Sequence, residues 1–195
     1  MREGLDLKIK YFLLATISGV IISLDQLVKI YIHTHYHLGE IHTVIADYFD
    51  ITYIRNFGAA FGILQTAGES FRGPFFALVP IVALVAIILI LRNTKDSQKV
   101  QICALSLIFG GAIGNYIDRI RFKYVIDFLD VHYKDIYHWP AFNVADSAIV
   151  CGVTILFLQM IFTKQPHGEV SEREAHEVVT SSETNKPVEP AKNRV

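Results

Sequence analysis

Along the 195 residues, long apolar stretches alternate four times with polar connections. The first runs from about Tyr11 to Ile32 and is interrupted only by Asp25 and Lys29. The second, Pro74–Leu91, and the third, Val100–Ile117, carry no charge. The fourth, about Ala141–Phe162, has Asp146 as its single charge. A helix needs about 20 mostly apolar residues to cross a bilayer, and open strands cannot span lipid because their backbone groups would go unsatisfied. The pattern therefore predicts an all-α membrane protein with four transmembrane helices, over about 11–32, 74–91, 100–117 and 141–162. Pro80 is expected to kink the second. The first run is too long for the apolar core of a cleavable signal peptide and continues without an Ala-x-Ala site, so it reads as a retained anchor.

The connections are unequal. Residues 92–99 form a short polar turn, whereas 33–73 and 118–140 are long loops. Four spans put both termini and the short turn on one side and both long loops on the other. Each long loop holds a strand-like stretch, Tyr48–Ile54 and Lys123–Val131, so the two are expected to make a small surface sheet. Beyond Thr163 the composition turns to Glu, Ser, Thr, Lys and Pro, and 164–195 is expected to be a disordered tail.

Composition supports this picture. A hydrophobic share of 52% and a mean hydropathy of +0.36 exclude an ordinary soluble domain. The net charge of −1 gives no reason to expect a nucleic-acid partner. Cys103 and Cys151 fall inside apolar runs and read as small buried hydrophobes. His33, His35, His37 and His42 would allow a metal site, but their setting reads first as a wet interfacial loop. Counted up to Lys164, seven Lys and Arg on the terminal side against six on the loop side leave the orientation nearly open.

The topology gathers the unusual polar residues at one membrane face. Asp25 and Lys29 lie near the end of the first helix, and Asn115, Asp118 and Arg119 at the exit of the third. Asn143 and Asp146 lie in the first two turns of the fourth, and Asn56 and Asp127 in the loops on that side. Asp25 and Lys29, four apart, read as a helical pair. Asp118-Arg119 reads as an interfacial ion pair, and Gly110-Gly-Ala-Ile-Gly114 as a close helix-packing surface. Asn56-Phe-Gly-Ala-Ala-Phe-Gly62 is a turn leading into a small amphipathic helix, or a backbone that approaches a ligand. Asp146 has no basic residue at helical pairing distance, Asp127 lies in a strand-like stretch, and apolar surroundings raise a carboxyl pKa. Two such carboxylates can share a proton and activate a water.

These phrases together resemble bacterial lipoprotein signal peptidase, or signal peptidase II. The matching residues are Asp25-Gln-Leu-Val-Lys29, Asn56-Phe-Gly-Ala-Ala-Phe-Gly62, Gly110-Gly-Ala-Ile-Gly-Asn-Tyr-Ile-Asp-Arg119, Val125-Ile-Asp-Phe128 and Pro140-Ala-Phe-Asn-Val-Ala-Asp-Ser147. The resemblance covers about residues 10–163. It implies a membrane peptidase domain over 1–163 and a cytoplasmic tail over 164–195. It implies a catalytic pair, Asp127 and Asp146, with supporting roles for Asp25, Lys29, Asn56, Gly58, Asn115, Asp118, Arg119 and Asn143. It further implies both termini in the cytoplasm, an inner-membrane location and an extracytoplasmic site. The substrates would be diacylglyceryl-modified prolipoproteins, cut N-terminal to the lipidated cysteine, and globomycin would inhibit. No cofactor or metal is implied, and a monomer is the plain expectation. The His33–His37 stretch and the acidic tail depart from a minimal member of that family.

Two other classes compete. A small proton-coupled transporter would use the same carboxylates but should show internal repeats, and none is found. A membrane scaffold would need no carboxylate pair.

Overall fold

The computed structural model describes residues 3–58, 68–134 and 136–162. Four helices form: α1 (Glu3–His35), α2 (Glu69–Asn93), α3 (Lys99–Phe122) and α4 (Val144–Phe162). Each is long and apolar enough to cross a membrane. Every helix except α4 extends past its apolar run, because polar residues in the flanking turns keep their helical hydrogen bonds where water is available. α2 runs as one helix past both Pro74 and Pro80. α4 begins three residues later than the apolar pattern suggests, since Phe142 is held by the sheet. The chain divides into two compact units, Met1–Gln159 and Met160–Val195. The site described below lies in the first. The expected tail, 164–195, and most of the Asn56–Gly62 phrase lie outside the described residues.

Glycines set the helix spacing. A Cβ on Gly110 would come within 2.9 Å of the Ser18 backbone on α1, and one on Gly152 within 2.6 Å of the Ala104 carbonyl oxygen. A Cβ on Gly111 would collide with the Ala145 carbonyl oxygen. α3 thus packs backbone to backbone against α1 and α4, as expected for small-residue contacts in membranes. Ser18 Oγ donates to Ser106 O at 2.9 Å within the α1–α3 seam. At the opposite end from the sheet, Lys10 is buried and its Nζ donates to the carbonyls of Arg92 and Thr94, satisfying the C-terminus of α2. Leu14, Ile87, Leu91, Ile102 and Leu105 form the core there.

The two long loops do make a sheet. β1 (Ile41–Ile45), β2 (Phe49–Asn56), β3 (Val125–Tyr133) and β4 (Tyr137–His138) lie in that order, every pair antiparallel. Asn56 pairs with Val125 and Ile54 with Asp127. An isolated bridge between Leu129 and Phe142 then ties the chain before α4 onto β3. Ile32, Tyr53, Ile126 and Phe128 form the core between sheet and helices.

The cysteine expectation is corrected. Cys103 is half-buried and Cys151 is exposed on the outer surface of α4. An apolar run that spans a membrane turns part of its surface to lipid, so apolar context did not mean burial in protein.

Candidate active site

Three asparagines organise the site, and the partners of each fix its amide orientation. Asn56 Oδ1 accepts from the Gly58 N–H, so its Nδ2 points at Asp127 Oδ2, 2.9 Å away. Asn143 Oδ1 accepts from the Asp146 N–H, so its Nδ2 reaches Asp127 Oδ1 at 2.7 Å. Asn115 Oδ1 accepts from Lys29 Nζ at 2.9 Å, a group that can only donate. Its Nδ2 is thereby turned to Asp146 Oδ1 at 2.7 Å. Asn143 Nδ2 also lies 3.1 Å from Asn115 Oδ1, which closes a chain of amides between the two carboxylates.

The fourth helix was expected to begin before Asn143. Instead Asn143 stands just outside it as the capping residue. Its side chain caps the Asp146 N–H, and Asp146 Oδ2 reaches back to the Asn143 N–H at 3.3 Å. This is a reciprocal capping box with asparagine and aspartate in the two roles. Asp146 therefore lies in the first turn, where the positive end of the helix favours a carboxylate. The neighbouring Ala145 N–H is satisfied from another helix, by Asp25 Oδ1 at 2.9 Å.

Asp127 is almost wholly buried, and its carboxyl pKa is pushed up to about 7. Burial is the largest cause and the nearby Asp146 carboxylate the second, while hydrogen bonds from Asn56 and Asn143 and the charge of Lys29 pull the other way. A carboxyl with that value exchanges its proton near neutral pH.

A second group lies directly behind. Lys29 Nζ sits 2.8 Å from Asp25 Oδ2 and 3.0 Å from Asp118 Oδ2, all three side chains buried. The Asp25–Lys29 helical pair is present, but it is half of a larger cluster. The expected Asp118–Arg119 ion pair is corrected. Adjacent helical residues point about 100° apart and cannot face each other. Asp118 turns to Lys29 and also accepts the Ile126 N–H at 3.1 Å, fixing the strand one residue before Asp127. Arg119 turns the other way, toward the Gly58 carbonyl at a long 3.4 Å and over the Phe76 ring. Gln26 was missed from sequence. Its Nε2 donates to Asp118 Oδ1 at 2.9 Å and to Gly114 O. Its place inside the Asp25–Lys29 phrase was the available signal.

A cavity of about 540 Å³ opens on Asp146, Asn115, Asn56 and Arg119, walled by the Trp139–Phe142 segment and by Ile149 and Val150 of α4. It is a polar spot at the edge of an apolar trough. Among the described residues no group of three or more His, Cys, Asp or Glu is arranged to hold a metal ion. His33 ends up packed against Tyr53, with Nδ1 2.7 Å from its hydroxyl.

A model of the family described as Signal peptidase (SPase) II matches residues 17–162. The lipoprotein signal peptidase of Geobacter sulfurreducens is 51% identical over 147 residues, covering 75% of this chain and 89% of that protein. That of Syntrophus aciditrophicus is 49% identical over 144 residues, covering 74% and 89%. Two solved structures of bacterial membrane enzymes share the fold. One has a TM-score of 0.67 and 30% identity, covering 90% of this chain and 94% of the other. The second has a TM-score of 0.66 and 32% identity, covering 78% and 94%.

Proposed function

We propose that this chain, which belongs to the signal peptidase II family of membrane peptidases that remove signal peptides from prolipoproteins, works as an aspartic endopeptidase with Asp127 and Asp146 as its catalytic pair. The observation that carries this reading is the contrast in pairing. Asp127 and Asp146 are held by neutral amides, Asp146 lining the cavity and Asp127 buried behind Asn56 and Asn143, with no lysine or arginine in direct ion contact among the described residues.

In this reading the two carboxyl groups hold one proton between them, a property of the pair. The ionised member takes a proton from water as the water attacks the scissile carbonyl. The protonated member hydrogen-bonds the carbonyl oxygen, and the proton then passes to the leaving amine. Asn115 and Asn143 orient the carboxylates. Asn56 and Arg119 border the cavity where the peptide backbone would lie, Gly58 is bonded to both, and Asp25, Lys29 and Asp118 hold the frame behind it. The scissile bond precedes a cysteine carrying diacylglycerol, whose acyl chains would remain in the bilayer against the apolar wall of α4.

The same reading places the protein in the bacterial inner membrane as a monomer. Both termini are cytoplasmic, and the site faces outward, where lipidated prolipoproteins present their cysteine. It makes the chain a target of globomycin. The test is cleavage of a diacylglyceryl-modified prolipoprotein by purified wild type, Asp127→Asn and Asp146→Asn, read as a gel shift with and without globomycin. Globomycin-sensitive cleavage by the wild type alone is expected. Substantial turnover by either folded variant would reassign the catalytic acids, and no cleavage by the folded wild type would remove the activity.

A further inference from the structure

The cavity at Asp146 has two unlike walls. One is the Trp139–Phe142 segment, pinned to β3 at both ends. The Trp139 N–H donates to Val131 O at 2.9 Å, and Phe142 and Leu129 exchange backbone hydrogen bonds at 3.0 and 2.9 Å. The other wall is α4, which contributes Asp146, Ser147, Ile149, Val150 and Cys151.

The surface of α4 divides into two faces. Ala145, Ala148 and Gly152 are buried, and a Cβ on Gly152 would come within 2.6 Å of the Ala104 carbonyl oxygen, so this face is closed against α3. Asp146, Ser147, Val150 and Cys151, at i, i+1, i+4 and i+5, make the adjacent stripe. Exposure rises along it. Asp146 and Ser147 are half-buried, whereas Val150 and Cys151 are exposed. Cys151 lies about 7.5 Å further along the helix axis than Asp146. The Ser147 hydroxyl donates to the Asn143 carbonyl at 2.9 Å, so beyond Asp146 the stripe presents hydrocarbon and a thiol. It leads from a carboxylate to the outer surface of a helix long and apolar enough to cross a membrane.

The chemistry of the bond to be cut says what would follow this path. The residue that supplies the scissile nitrogen carries the diacylglyceryl group on its own β carbon, through sulfur. The lipid therefore branches away beside the carboxylates and has to leave the cavity along a wall that reaches hydrocarbon.

We propose that one acyl chain of the diacylglyceryl cysteine leaves through the slot between the Trp139–Phe142 wall and the Ser147–Val150–Cys151 stripe, and that Cys151, a small side chain at the far end of that slot, determines acyl-chain specificity. This rests on the peptidase reading and adds to it the residue that gauges the lipid. A chain too short to pass Cys151 does not sense it, and a bulkier side chain there narrows the slot for a long one.

The test uses the full-length protein in detergent and two synthetic prolipopeptides that differ only in their acyl chains, dipalmitoyl and dibutanoyl. Cys151→Phe adds bulk at an exposed position. It is expected to raise the KM of the dipalmitoyl substrate about tenfold relative to that of the dibutanoyl one, within the cost of overpacking a filled space. The ratio of the two kcat values should hold. An equal rise in KM for both substrates would assign the stripe to the peptide and overturn the proposal, as would no change for either. A second readout needs no cleavage. Trp139 is the single tryptophan and stands on the opposite wall. A diacylglyceryl cysteine amide with brominated long acyl chains, which has no scissile bond, should quench its emission saturably. The unbrominated dipalmitoyl compound should displace it and the dibutanoyl compound should not. Absence of saturable quenching overturns the proposal. A wild type that cleaves neither prolipopeptide yet shows this quenching keeps the lipid slot and removes the peptidase reading.

Discussion

Asp25 and Asp118 share a lysine, whereas Asp127 and Asp146 share only asparagine amides. Both pairs sit at the same end of the helices, and one residue, Asn115, touches both groups. The difference is a single buried ammonium. Where it lies between two carboxylates, the cluster acts as a brace from α1 to α3. Where it is one amide away, burial and the nearby Asp146 carboxylate favour a proton on Asp127, which makes the Asp127–Asp146 pair the better candidate for chemistry.

The largest expected effect breaks the proposed catalytic half. Asp127→Asn or Asp146→Asn should lower cleavage about 10³-fold or more, the range for losing a positioned acid or base. Single-turnover cleavage at fixed lipid composition would measure it. Asp118→Asn should cost less in the same assay, because it acts through strand position.

Breaking the braced half should show in stability. Lys29→Met strands two carboxylates in a buried site and should cost about 3–5 kcal/mol, the usual penalty for removing one partner of a buried ion pair. Reversible unfolding in detergent would report it. Unchanged stability would mean that water already reaches this cluster.

A finer probe distinguishes packing from charge. A Cβ on Gly114 would come within 2.7 Å of Asp25 Oδ2, while Gly19 on α1 has nothing within 4 Å of that position. Gly114→Ala should destabilise by about 1–3 kcal/mol through overpacking. Gly19→Ala should stabilise by about 0.5–1 kcal/mol, because it only removes freedom from the unfolded chain and favours helix. The two melting temperatures should move in opposite directions.

The mildest perturbation is pH. An unfolded aspartate loses its proton near 4, while Asp127 holds its own to about 7. The native state therefore binds more protons between those values. The stability this contributes is present at the acid end and lost as pH rises through about 7. Unfolding free energy should decline across that window, and the decline should flatten in Asp127→Asn. The value of kcat/KM should also fall above about pH 7 as the pair loses its shared proton, and a flat profile to pH 9 would count against proton sharing.

What the sequence determined by itself was local or additive. Four apolar runs of spanning length are countable without a fold, because lipid demands hydrocarbon continuously along a helix. The two strand stretches were legible by alternation, and the glycine surface on α3 by its small residues. Chain topology alone was enough to bring Asp25, Asn115, Asp127 and Asp146 to one end. The partners of those residues were decided only by the tertiary structure. Asp25 reaches the Ala145 N–H across 120 positions, and Gln26 meets Asp118 across 92. No period in the chain encodes such pairs, so Asp118 was assigned to its neighbour Arg119 when Lys29 held it. The start of α4 was likewise misplaced by apolar pattern alone, because the bridge from Phe142 to Leu129 stops the helix and leaves Asn143 to cap it. Composition says which groups are costly to bury, and packing alone decides which neighbour offsets that cost.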